Sequence, residues 1–112
     1  MMKRPMWFRW WPDLVLALVA ASAPAFGTEI ASDAGKLANL VRQDCGSCHG
    51  LTLHGGLGKP LTSEYLRTWD REQIVSIILD GIPGTPMPPW RALLSEGDAR
   101  WIADRLQQGN LP

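Results

Sequence analysis

Cysteine is almost absent from this chain: there are two in 112 residues, Cys45 and Cys48. Cysteines that close together cannot staple distant segments, which excludes a disulfide framework. A surplus of charge is missing too. Eleven basic residues cancel eleven acidic ones, so there is no basic face of the kind that binds nucleic acid. Long hydrophobic runs are also lacking. The one apolar stretch, Leu14 to Ala21, is well short of the roughly 20 residues that cross a bilayer. Repeats, low-complexity tracts and convincing period-two strands are all absent.

The apolar stretch reads instead as the centre of a signal peptide. Lys3, Arg4 and Arg9 make its start positive, Pro12 and Asp13 bound it on one side, and Pro24 and Gly27 bound it on the other. Ala23-Pro24-Ala25 offers the small residues that a signal peptidase accepts. Residues 1–25 are therefore expected to be a signal peptide, cut after Ala25 or alternatively after Gly27. Residues 26–112 are expected to be one exported, periplasmic domain without stable membrane insertion. An uncleaved anchor is the rival reading. Trp7, Phe8, Trp10 and Trp11 suit a membrane interface while a precursor awaits export. From Phe26 onward eight basic residues face ten acidic ones, a balance of −2. A chain this short buries a thin core and needs a bound group to hold it together. With no other staple available, Cys45 and Cys48 mark where that group attaches.

Helical stretches alternate with Gly/Pro-rich loops, which points to a small all-α domain. A first helix is expected from an N-cap at Ser32, with Leu37, Leu40 and Val41 on one stripe that continues to Cys45 and Cys48. A short helical piece is expected over Ser63 to Thr68. The clearest helix covers Arg71 to Asp80, capped by Asp70 with Gln73 in the capping-box place and stopped by Gly81. Its buried side is read as Ile74, Ile77 and Ile78. Pro83, Pro86, Pro88 and Pro89 keep Ile82 to Trp90 irregular. A closing helix begins at Ser95, buries Ala99, Ile102, Ala103 and Leu106 with Trp101 alongside, and ends at Gly109.

Cys45-Gly46-Ser47-Cys48-His49 has the spacing that attaches c-type haem. Two thiols one helical turn apart can each form a thioether to a vinyl group on the same edge of the macrocycle. His49, next in line, is then placed to ligate the iron. The bland alternatives are a thioredoxin-like dithiol, which lacks its βαβ context here, a short disulfide, or a zinc site built from Cys45, Cys48, His49 and His54. For the opposite side of the iron, Met87 is the only methionine left once Met1, Met2 and Met6 are cut away. Its flanking prolines restrict the backbone and can hold a sulfur near one place. A lone methionine is more often core filler, but the haem signature reverses that weighting. His54 is the competing ligand, and a short span argues for its exposure instead.

From Cys45 to Leu106 the chain resembles the small single-haem class I cytochromes c. More narrowly, it is similar to the NirC-type cytochromes of the denitrification system. The stretches that carry this likeness are Asp44 to Leu53, Gly55 to Gly58, Ile78 to Gly81, Gly84 to Trp90 and Leu94 to Glu96. The resemblance implies a class I cytochrome c fold wrapped round one covalent haem c. It implies that the Pro60 carbonyl accepts a hydrogen bond from His49, that Leu61 packs on the haem face, and that Tyr65, Arg67 or Trp69 reaches the propionates. It also implies a monomeric electron carrier rather than an enzyme. Such a carrier would work between an upstream donor and cytochrome cd1 nitrite reductase, or help in maturing the d1 haem. The rival readings are a five-coordinate haem protein with ligand-sensing or peroxidase activity, and an electron donor to a terminal oxidase.

Overall fold

A computed structural model of the chain describes residues 33–112. The expected signal peptide and its cleavage sites lie outside the described residues. Within them the chain is helical, without a strand. Helix α1 covers Ala34–Leu40 and is capped by the Asp33 carboxylate, which accepts the Gly35 amide. Its axis continues through a π-helical turn, Val41–Cys45, into a short helix α2, Gly46–His49. The π turn holds one more residue than an α turn, as the bond from the Gly46 amide to the Val41 carbonyl shows. Such bulges rotate the residues beyond them and gather at functional sites. No sequence signal announced this one.

Helix α3 is Ser63–Leu66, shorter than expected, with Thr62 as its N-cap. Helix α4 spans Arg71–Asp80 as read from the sequence; Asp70 caps its start and Gly81, at φ 66°, ends it. Helix α5, Glu96–Gln108, opens on a complete capping box between Ser95 and Asp98 and closes on Gly109 in the left-handed conformation. Helix α5 is the centre of the domain, and α1, α3 and α4 all pack on it. Ala99 and Ala103, fully buried one turn apart, let those neighbours come close. Leu37, Val41, Leu66, Ile74, Val75, Leu79, Leu94, Ile102 and Leu106 complete the core. Full burial of side chains such as Val41 and Ile102 contributes roughly 1.5–3 kcal/mol each.

One expected face needs correcting. Of Ile74, Ile77 and Ile78, only Ile74 is buried, and the core side of α4 is Ile74, Val75 and Leu79. The three isoleucines line a cavity instead. Helix α4 has two apolar faces, and periodicity alone cannot say which one meets protein.

Candidate functional site

The loop after α2 folds back to satisfy the carbonyls left open at the end of that helix. The Gly55 amide donates to the His49 carbonyl at 2.8 Å, and the Gly58 amide donates to the Cys48 carbonyl, also at 2.8 Å. Glycine is required at Gly50, where φ is 91° and a Cβ would lie 2.5 Å from the Gly55 oxygen. The returning chain brings Lys59 to the imidazole: His49 Nδ1 donates to the Lys59 carbonyl at 2.6 Å. That bond puts the ring proton on Nδ1 and leaves the lone pair on Nε2.

The acceptor corrects the expectation of Pro60. Lys59 precedes a proline, which disfavours helical backbone there, and it is the Lys59 carbonyl that faces His49. The Pro60 ring packs toward Gly55, and Pro60 and Leu61 both line the cavity.

This cavity has a volume of about 560 Å³. Cys45, Cys48 and His49 form part of its wall, and Met87 comes to it from the Pro-rich loop. Ile74, Ile77 and Ile78 of α4 and Ile102 and Leu106 of α5 make an apolar back wall. Tyr65 and Trp69, their ring centroids 6.2 Å apart, line it too. Arg67 does not, so of the three side chains expected at the propionates only the two aromatic ones are at the cavity. The Met87 loop has its base tied to α4, with the Trp90 amide on the Ile78 carbonyl and the Arg91 amide on the Leu79 carbonyl, both at 3.1 Å. His54 is exposed, its Nδ1 on the Thr52 carbonyl at 2.8 Å.

The donor set suits a haem with thioether links and does not suit zinc. Burial, helped by the Asp44 carboxylate, pushes the Cys45 thiol up to about 11, and a thioether, which carries no charge, suits that apolar wall. His54 is outside the cavity, and no group of three or more His, Cys, Asp or Glu gathers for a metal among the described residues. Gly58 adds a fitted surface: a Cβ there would come 2.7 Å from the His49 ring. No described helix is long and apolar enough to cross a membrane.

Comparison with known proteins agrees with this chemistry. The family profile described as cytochrome C oxidase, cbb3-type, subunit III matches residues 32–104. A cytochrome c55X of Paracoccus denitrificans (strain Pd 1222) is 56% identical over 93 residues, which is 83% of this chain and 89% of the relative. A cytochrome c55X of Pseudomonas aeruginosa is 58% identical over 76 residues, 68% of this chain and 64% of its own. Among solved structures, a c-type cytochrome NirC superposes with a TM-score of 0.68 at 56% identity, covering 69% of this chain and 91% of that one. Dihydro-heme d1 dehydrogenase NirN in complex with DHE matches at a TM-score of 0.58 and 34% identity, over 62% of this chain and 15% of the larger protein.

Proposed function

The chain belongs to the small monohaem class I cytochromes c of the NirC type, and on that premise we propose that it carries single electrons in the periplasm to cytochrome cd1 nitrite reductase, or to a protein that matures the d1 haem. The observation that carries the proposal is the placing of Cys45, Cys48, His49 and Met87 on the wall of one apolar cavity. Cys45 and Cys48 would hold the macrocycle through thioethers, and His49 and Met87 would ligate its iron. Bound there, haem supplies a one-electron iron couple.

The chain's own groups do the remaining work. The Lys59 carbonyl holds the His49 proton on Nδ1 and raises the basicity of Nε2. As an iron ligand, the thioether of Met87 would raise the potential and leave no room for a small ligand. The isoleucines of α4, which line the cavity, would exclude water from a bound haem. Ligation by both side chains would favour electron transfer over catalysis. A domain like this one, forming a small part of a dihydro-haem d1 dehydrogenase, supports an acceptor that handles d1 haem.

Two measurements test the proposal. The oxidised holoprotein should show the weak far-red band of a thioether bound to ferric haem, and Met87→Ala should abolish the band and admit added imidazole. A five-coordinate spectrum in the unaltered protein contradicts the ligation. Reduced protein mixed with cytochrome cd1 nitrite reductase should be reoxidised faster than by a terminal oxidase. The reverse order would move the partner to the oxidase.

A further inference from the structure

The loop that presents Met87 has an unusual shortage of donors. Pro83, Pro86, Pro88 and Pro89 carry no amide hydrogen, so between Pro86 and Pro89 the Met87 amide is the one backbone N–H. That amide donates to the hydroxyl of Thr85 at 3.3 Å. The same hydroxyl donates to the Ile82 carbonyl at 2.7 Å. Two backbone bonds close the ring: the Thr85 amide to the Ile82 carbonyl at 3.1 Å, and the Ile82 amide to the Met87 carbonyl at 3.3 Å. Pro83 and Gly84, the latter at φ 78°, occupy the corner that suits proline followed by glycine. Thr85 also lines the cavity.

We infer that Thr85 is a positioning residue for the Met87 ligand, its hydroxyl knotting Ile82 to the Met87 backbone so that the sulfur stays at the iron. This rests on the ligation reading above. The prolines alone stiffen each residue, but they do not join the two sides of the loop. Thr85 does so by donating and accepting at once, which no apolar side chain of its size can do. Losing both hydrogen bonds should raise the population with Met87 off the iron about tenfold.

The test uses ferric holoprotein carrying Thr85→Val, which keeps the shape and loses the hydroxyl, beside Thr85→Ser, which keeps the hydroxyl. Imidazole binding reads the Met-off population directly. Thr85→Val should bind imidazole about tenfold more tightly and lose its far-red band at lower pH, while Thr85→Ser stays within about twofold of the unaltered protein. Equal imidazole affinity in Thr85→Val and the unaltered protein overturns the inference, and so does a Ser variant as loose as Val. Should Thr85→Val yield no holoprotein, Thr85→Ala, which also lacks the hydroxyl, is read by the same imidazole titration against Thr85→Ser. A far-red band missing from the unaltered protein overturns Met87 ligation itself, a failure distinct from an unchanged band and affinity in the variants.

Discussion

At Gly58 a missing side chain lets the loop lie flush against the imidazole of His49, and the next carbonyl along, that of Lys59, accepts the hydrogen bond from the ring N–H. Both features depend on the chain returning at one angle. Gly58→Ala places a methyl group 2.7 Å from ring atoms that iron ligation would hold still. The holoprotein should lose about 1–3 kcal/mol of stability, measured by guanidinium unfolding, because a fixed ring cannot yield to overpacking. A loss below about 0.5 kcal/mol would show the ring free to move aside. The sequence pointed to His49 as ligand through its place after the second cysteine. It could not reveal the acceptor, because Lys59 and Pro60 differ by one peptide and only the path of the returning loop chooses between them.

Helices α4 and α5 are joined on their outer side by exposed charges. Glu72 receives Arg100, Arg71 reaches both Glu72 and Asp104, and Arg100 also meets Glu96, each at 3.2 to 3.3 Å. The Arg100 guanidinium, with Arg71 beside it, lowers the Glu72 carboxyl below its ordinary value of 4.5. A lowered folded value means that the pair's stabilisation is complete above 4.5 and fades as the pH falls through the lowered value. Glu72→Gln should therefore melt at a lower temperature than the unaltered protein at pH 7. The gap should close in acid, once the pH falls below the lowered value of Glu72, and shrink in high salt. A gap that persists in acid would assign the loss to packing instead. The links between the two helices were not legible in the sequence, since Arg71 and Asp104, or Glu72 and Arg100, meet only when the helices are packed. The caps were legible. Asp70 and Ser95 each act on an amide three residues on, a distance that local sequence contains.

Over the whole domain, the apolar side chains have two tasks. Some, such as Ala99 and Ala103, pack helix on helix. Others, including Ile77 and Ile78, line the cavity, and Ile102 does both. Without a group to cover it, the cavity wall stays partly open to water, and the loops from Gly50 to Thr62 and from Gly81 to Leu94 lose the object they wrap. A haem-free form made by Cys45→Ala with Cys48→Ala should be largely unfolded, with weak far-ultraviolet circular dichroism and no cooperative melt. Helical content close to that of the holoprotein, lost in one sharp transition, would show that the protein core suffices.

Local sequence determined the helical class, the capped starts of α4 and α5, the attachment motif and the candidate axial pair. Each of these is written in residues within one or two turns of each other, or in a residue type that occurs once in the described chain. The tertiary structure alone decided the π turn before Cys45, the Lys59 acceptor, the face of α4 that meets the cavity and the knot at Thr85. Those depend on where segments distant along the chain meet. Packing geometry, and not spacing, sets which of two adjacent carbonyls or two apolar faces is used.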